Sequence, residues 1–304
     1  MRKTELFLRS AKVSVAARFS RIGMFATEDA VTFLESLRSG IADIIFLDPP
    51  FNLGKDYGIT SDIESASPEV YEQYLERVLA ESARVLKEGG ALFMYHVPYW
   101  AARLSKYLQS QLQFRHWIAI SMKNGFVRGR NLYPAHYALL YYTKGRASVF
   151  IRPRYPAIRC RHCGELIKDY GGYRGIIETK GVNLSDVWDD LSPVRHKTTK
   201  TRTANQLPLR LTDRIFDISG FPGALLVDPF VGSGTSLVSA RTHGMRFVAN
   251  DLSPCNISLS LKRLETQENE DSFAFDVLDT PDQIKALEIG EPRDHQGCKL
   301  GGRQ

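Results

Sequence analysis

The sequence predicts an α/β fold built on a mostly parallel sheet, and two observations carry that expectation. Short apolar runs that read as buried strands alternate with longer segments of helical spacing, the pattern of a sheet covered on both faces. Two of those strands run directly into turns rich in proline or glycine, at the end of the sheet where α/β folds place their ligands.

The elements follow in order. Ala42-Asp-Ile-Ile-Phe-Leu47 is a buried strand that ends at Asp48-Pro-Pro-Phe51. Pro68 to Lys87 has helical spacing, with Tyr71, Tyr74, Leu75, Val78, Leu79, Ala83 and Leu86 on one side and Gly89-Gly90 as the expected stop. Ala91–Tyr95 is the next strand, a helix is expected from about Tyr99 to Gln111, and Trp117–Ser121 and Tyr137–Tyr142 supply two further strands. From about Phe150 to Thr203 the periodicity gives way to Gly, Pro, Arg and aromatic residues, including Asp169-Tyr-Gly-Gly-Tyr173. A helix near Leu207–Ser219, a strand Ala224–Asp228, the turn Pro229–Thr235, a helix Ser236–Thr242 and a strand Arg246–Asn250 complete the pattern. The expected organisation is therefore a first half at 1–149, an inserted loop-rich region at 150–203, a second half at 204–267 and a polar tail at 268–304 that is expected to be partly disordered.

Composition bounds the function classes. With 304 residues, 43% hydrophobic and 24% charged, the chain is an ordinary globular enzyme in make-up. It has no apolar run long enough to span a bilayer, and its first residues lack the apolar core of a secretory leader, so the cytoplasm is the expected compartment. Four cysteines at irregular spacing do not make a disulfide framework. Cys160-Arg-His-Cys-Gly164 has the form of half a zinc ribbon, but no second Cys-x-x-Cys exists, and a reduced pair in a turn is expected, with no metal. His96, His116, His136 and His243 are read as structural or surface residues. The net charge of +6 is concentrated mid-chain, at Arg152, Arg154, Arg159, Arg161, Lys168, Arg174 and Lys180 and again from Arg195 to Arg202, a surface suited to phosphates.

Two loops carry chemistry. In Val227-Asp-Pro-Phe-Val-Gly-Ser-Gly-Thr235, Gly232 and Gly234 allow close backbone approach, the following helix offers unpaired N–H groups, and Asp251 at the end of the next strand suits two ribose hydroxyls. A dinucleotide site is the competing reading; Leu237 occupies the position its third glycine would need. In Asp48-Pro-Pro-Phe51 the prolines fix φ and remove two donors, leaving a stiff turn that presents carbonyls, a carboxylate and a ring. That set suits an exocyclic amine on a planar base: Asp48 and the Pro49 carbonyl accept its hydrogens and Phe51 stacks on the ring.

With both loops in hand the chain resembles the amino-methyltransferases of DNA, whose signatures are a D/S/N-P-P-Y/F/W catalytic loop and an F-x-G-x-G cofactor loop. Asp48-Pro-Pro-Phe51 precedes Phe230-Val-Gly-Ser-Gly234, the permuted order of the family's β group. The resemblance covers about residues 25–265 apart from the insertion, which lies where that family has its target-recognition region. It implies the class I S-adenosylmethionine-dependent methyltransferase fold, S-adenosyl-L-methionine as cofactor and double-stranded DNA as partner. By the same resemblance, Asp48, Pro49, Pro50 and Phe51 are catalytic, while Asp29, Asn205, Asp228, Phe230, Gly232, Gly234, Thr235 and Asp251 hold the cofactor. Arg159, Arg161, Tyr170, Tyr173, Arg174 and Lys197 in the insertion are expected to meet DNA. Aspartate at the first loop position goes mainly with adenine in that family and serine with cytosine, so adenine N6 is expected and cytosine N4 stays open; Phe51 replaces the commoner tyrosine. A solitary methylase and one paired with a restriction endonuclease both fit, as do a monomer and a homodimer. An enzyme for RNA or protein, and a DNA-binding relative without turnover, are the rival readings.

Overall fold

The computed structural model describes residues 1–8, 15–52, 63, 65–121, 132, 134–157, 159–160, 162–166, 170–191 and 206–268. The first half runs α1 (Lys3–Leu6), β1 (Val15–Phe19), β2 (Gly23–Ala26), α2 (Ala30–Ser36), β3 (Ala42–Leu47), α3 (Pro68–Val85), β4 (Leu86–His96), α4 (Pro98–Gln111), β5 (Gln113–Ser121) and β6 (His136–Thr143). Then come β7 (Arg154–Tyr155), α5 (Arg174–Lys180), β8 (Val182–Asn183), β9 (Val187–Trp188), α6 (Leu209–Ser219), β10 (Leu225–Asp228), α7 (Thr235–Thr242), β11 (Arg246–Asn250) and α8 (Pro254–Glu268).

Among the described residues one sheet of nine strands, in the order β1-β2-β11-β10-β3-β4-β6-β5-β9, forms the middle layer. From β2 to β4 the strands are parallel, β6 runs antiparallel to both β4 and β5, and β1 caps the other edge antiparallel to β2. Alternation of side chains sorts the core into two layers. Ile45, Leu47, Leu92, Met94, Leu140 and Val227 pack with α2, α3 and α4 on one face. Ile44, Phe46, Phe93, Tyr141, Leu226 and Phe247 pack with α6, α7 and α8 on the other. Each fully buried Leu, Ile or Phe in these layers contributes about 1.5–3 kcal/mol, which makes the sheet the rigid frame of the molecule.

The connection β3-α3-β4 leads to one side of the sheet and β10-α7-β11 to the other, with β3 and β10 hydrogen-bonded neighbours. The strand order thus reverses between β3 and β10. A crevice forms at their carboxyl ends, where open α/β sheets bind ligands.

Helix α3 begins as expected, with Ser67 accepting from the N–H of Val70 and Pro68 in the first turn. It ends at Val85, and Gly89-Gly90 lie inside β4 instead of stopping the helix. Gly89 has φ +78, its N–H reaches the carbonyl of Lys144 at 2.7 Å, and an added Cβ would fall 1.9 Å from Ser148 Oγ. The glycine therefore serves a close crossing of β4 over residues 144–148. In the insertion, β9 pairs in parallel with β5 through Ala119↔Val187 and Ile120↔Trp188, which knits this segment into the main sheet. Among the described residues no helix is long and apolar enough to cross a membrane.

Candidate active site

β3 delivers Asp48 to the crevice half-buried, followed by buried Pro49, half-buried Pro50 and Phe51, which is 5% exposed. The chain then reverses at Asn52, whose φ of +52 is left-handed, a conformation asparagine tolerates better than most residues. Its side-chain amide donates to the carbonyls of Ile63 and Ala66, both at 3.0 Å, fastening the far end of the turn. Phe51 is seated among Tyr95, His96 and Tyr137, with ring centroids 5.9, 5.0 and 5.7 Å away. Tyr95 and Tyr137 are 5.0 Å apart and come from the ends of β4 and β6. Burial raises both phenols above their ordinary range; Tyr95 is raised further by Tyr137 and then by Asp48, and Tyr137 by Asp48. Both therefore stay protonated near neutrality, beside a carboxylate and an aromatic wall.

The second loop leaves β10 beside the first. Leu226 and Val227 pair with Ile44 and Ile45, and continuing that register sets Asp48 level with Phe230. Gly232 and Gly234 have φ of +54 and +74, as a close backbone approach requires. At Gly234 a Cβ would meet Ser260 Cβ and Oγ at 2.8 Å, so the turn lies hard against α8. Asp228 is buried, accepts from the N–H of Phe230 at 3.0 Å and from the hydroxyl of Ser236, and is pushed up to about 7, by burial first and by the charge of Asp251 as well. Asp251 accepts from the N–H of Gly232 at 2.9 Å, and from Ser253 N–H and Asn256 Nδ2, also at 2.9 Å. Thr235 donates to the carbonyl of Leu207 at 3.3 Å, tying the loop to the segment before α6. Phe230 packs partly buried against the face that carries α2 to α4.

Asp29 caps α2, accepting from Val31 and Thr32, and receives the Tyr74 hydroxyl at 3.2 Å, which holds it at the mouth of β2 on the same edge of the sheet. Asn205 lies outside the described residues, as do Arg161 and Lys197. The fold therefore gathers Asp29, Asp48–Phe51, Asp228–Thr235 and Asp251 on one edge.

Three residues of this edge escaped sequence reasoning. Asn250, 1% exposed, receives the N–H of Glu28 at 3.0 Å and donates to the carbonyls of Glu28 at 2.9 Å and Pro229 at 3.2 Å, joining the exits of β2 and β10. Arg263 on α8 donates to the carbonyl of Ser233 at 2.5 Å and to the hydroxyls of Ser233 and Thr235 at 3.1 Å, so a half-buried guanidinium braces the glycine loop. Asn52 is the third. A polar residue at a strand end is the only trace Asn250 leaves in the sequence; Arg263 leaves none, being 30 residues from its partner.

The insertion keeps several basic residues at the surface, with Tyr173 64% exposed. Arg174 pairs with Glu165 and, at 3.3 Å, with Glu178; Arg159 donates to the Gly164 carbonyl at 3.1 Å and lies 4.0 Å from Glu178. Such exposed pairs are worth about 0–1 kcal/mol, so a phosphate can displace the acids at little cost. The backbone of Tyr170 belongs to a single 3-10 turn, Tyr170–Gly172. Cys160 and Cys163 are free thiols on a tight turn closed by Gly164 N–H to the Cys160 carbonyl at 2.9 Å. Among the described residues no group of three or more His, Cys, Asp or Glu side chains converges as a metal site.

This geometry has counterparts among known proteins. The chain is 38% identical over 282 residues to the type II methyltransferase M.BamHI of Bacillus amyloliquefaciens, covering 92% of this chain and 66% of that relative's length. Its fold is similar to that of the PvuII DNA methyltransferase (cytosine-N4-specific), with a TM-score of 0.60 at 12% identity over 86% of this chain and 96% of the other. M1.HpyAVI in complex with SAM superposes with a TM-score of 0.56 at 17% identity, over 80% and 99% of the two chains. Residues 42–261 match the N6/N4 methyltransferase family described as DNA methylase, and the chain belongs to that family.

Proposed function

We propose that the protein transfers a methyl group from S-adenosyl-L-methionine to the exocyclic amine of a base flipped out of double-stranded DNA. The observation that carries this reading is the adjacency of two loops of distinct chemistry, Asp48–Phe51 and Asp228–Thr235, on neighbouring parallel strands. The residues present fit the cofactor. Two left-handed glycines admit a close ligand, Asp251 at the end of β11 suits a ribose, and buried Asp228 suits a cationic methionine group. Asp29, Phe230, Thr235 and the Asn205 segment complete that half of the site in this reading. When bound, S-adenosylmethionine supplies an electrophilic methyl group on a sulfonium.

The chain's own residues do the rest. Extruding the base costs a few kcal/mol; stacking on Phe51, worth about 1–3 kcal/mol, requires that ring, only 5% exposed here, to open a face to the base. Asp48 and the Pro49 carbonyl accept the two amine hydrogens, drawing the nitrogen toward tetrahedral geometry and localising its lone pair for in-line attack. After the methyl group has moved, the extra proton passes to Asp48 or through it to water. Phe51, Tyr95 and Tyr137 form an aromatic wall beside Asp48. The basic insertion, with Arg159, Arg161, Tyr170, Tyr173, Arg174 and Lys197, serves target recognition.

Asp48 favours adenine N6 as the acceptor. Cytosine N4 is the second reading, favoured by the similarity to the PvuII enzyme, whose name carries that specificity. A type II methyltransferase among the relatives favours a cognate restriction endonuclease as a biological partner. Single-molecule sequencing of DNA from cells expressing the protein reads base and target site together. The expected product is N6-methyladenine at one short sequence that disappears with Asp48→Ala, while that variant still binds S-adenosylhomocysteine; methylation persisting in Asp48→Ala would refute the reading.

A further inference from the structure

The Asp48–Phe51 turn has an unusual difficulty in holding its own shape. Pro49 and Pro50 have no N–H, so the middle of the turn can anchor its backbone only through carbonyls. The structure places one such anchor behind it. The Tyr71 hydroxyl lies within hydrogen-bond reach of the Pro50 carbonyl and 2.8 Å from His96 Nε2, while the N–H of Val97 donates to His96 Nδ1 at 2.8 Å.

The direction of this chain follows from elementary donor counting. Val97 N–H can only donate, so Nδ1 is an acceptor and carries no proton. The neutral ring then has its proton on Nε2, which donates to the Tyr71 oxygen, and the Tyr71 proton is left for the Pro50 carbonyl, which can only accept. Burial lowers His96 to about 3, so the ring holds this one state across the working pH range. His96 also packs its ring against Phe51, 5.0 Å away at 30°. Both supports stand on rigid ground. His96 is the last residue of β4, paired across to Ala138, and Tyr71 is fully buried on α3, 4.6 Å from Trp100.

We propose that His96 and Tyr71 are positioning residues for methyl transfer, linked in a one-way hydrogen-bond chain from Val97 N–H through His96 and Tyr71 to the Pro50 carbonyl that fixes the Asp48–Phe51 turn. The inference rests on the reading of that turn as the catalytic loop. Through the chain, sheet and helix hold the second proline carbonyl from behind, so the first faces the target amine at a fixed angle. Both side chains are fully buried, so their effect is on geometry, where a misplacement of about 1 Å costs on the order of a hundredfold in rate.

Tyr71→Phe keeps the ring and removes the hydroxyl. The expected result is a kcat lowered by about 10- to 100-fold, the scale of such a misplacement, with the KM for S-adenosylmethionine and the affinity for cognate DNA within about twofold of the parent. His96→Gln keeps an N–H donor near the Nε2 position and is expected to retain more activity than His96→Leu, which keeps none. Nitrogen-15 NMR of the histidine-labelled protein reads the tautomer without turnover: His96 should carry its proton on Nε2, and Tyr71→Phe should shift that resonance. A proton on Nδ1, a Tyr71→Phe enzyme with parental kcat, or equal losses in His96→Gln and His96→Leu would each overturn the inference. Asp48→Ala in the same series separates the two levels. If it keeps turnover, the reading of the loop fails and takes the inference with it; if it is inactive while Tyr71→Phe is normal, the positioning role alone fails.

Discussion

Replacing Arg214 by methionine separates the hold on the insertion from the integrity of the cofactor half. Arg214 stands on α6, 3% exposed, and its guanidinium meets Asp190 in a two-point pair at 2.8 and 2.5 Å. It also lies 4.8 Å from the Tyr155 ring centroid and 5.3 Å from that of Trp188. All three partners belong to residues 150–203, so one side chain clamps that segment to the second half of the chain. The two charge-assisted bonds are worth about 1.5–3 kcal/mol each and the ring contacts about 0.5–2 kcal/mol each. Against these stands the desolvation of a buried guanidinium, several kcal/mol. Its Nε, moreover, has no hydrogen-bond partner among the described residues. Asp190, 37% exposed, recovers water when the arginine goes. The net loss is therefore about 1–2 kcal/mol rather than the 3–5 kcal/mol of a fully buried broken pair.

That loss raises the undocked population of the insertion by roughly 5- to 30-fold. Hydrogen exchange over Val187–Leu191 should quicken by that factor, and affinity for cognate DNA, measured by fluorescence anisotropy, should weaken. Binding of S-adenosylhomocysteine by calorimetry should not change. The clamp has a pH signature too. Burial works to raise Asp190, but the hydrogen bonds and charge of Arg214, with Arg210 beside it, outweigh this and hold it below the usual carboxylate range. A lowered pKa contributes stability above the unfolded value near 4 and loses it as pH falls, so acid should quicken exchange in the parent and not in Arg214→Met. Cofactor affinity falling as far as DNA affinity would refute the clamp.

Three further outcomes follow from the cofactor edge. Asp228, raised to about 7, stays protonated in the folded state while its unfolded counterpart has ionised from about pH 4, so apo stability should fall between those values and then level off; a cationic ligand reverses the preference, and S-adenosylmethionine affinity should rise with pH up to about 7 and then plateau, whereas a flat calorimetric profile would rule out ionisation of Asp228 on binding. Gly234→Ala meets a left-handed φ costing about 1–2 kcal/mol and a Cβ clash with Ser260 at 2.8 Å. It should lower the melting temperature and weaken cofactor binding at least tenfold, with full affinity counting against the tight packing of the loop on α8. Asn250→Ala frees buried polar groups at two strand exits, each costing about 1–3 kcal/mol, and should destabilise the apoenzyme while cofactor lowers the deficit; chemical denaturation with and without S-adenosylhomocysteine reads both.

Much of the site is legible along the chain because each half is local. In each half a strand runs directly into its turn, so Asp48-Pro-Pro-Phe51 and Phe230-Val-Gly-Ser-Gly234 announce themselves by composition and context. Residues that work from a distance leave no such mark. Tyr71 sits in a helical stripe and reads as core, His96 reads as a structural or surface histidine, and Arg263 lies beyond the last element the sequence announces. Short strands are similarly silent: two residues at Val187–Trp188 have no periodicity, yet they extend the sheet. Gly89-Gly90 shows the opposite error, a signal with two meanings, since the same pair that ends helices also permits a close strand crossing.

By itself the sequence determined the α/β class, the order of the two loops and the chemistry each can offer, because strand periodicity, proline stiffness and glycine freedom are properties of neighbouring residues. Only the tertiary structure decided that β3 and β10 lie side by side, that Arg214 fastens the insertion, and that His96 and Tyr71 stand behind the proline turn. Those arrangements depend on burial shared between elements far apart in the chain, and which partners meet is settled by the packing of two helical layers on one sheet.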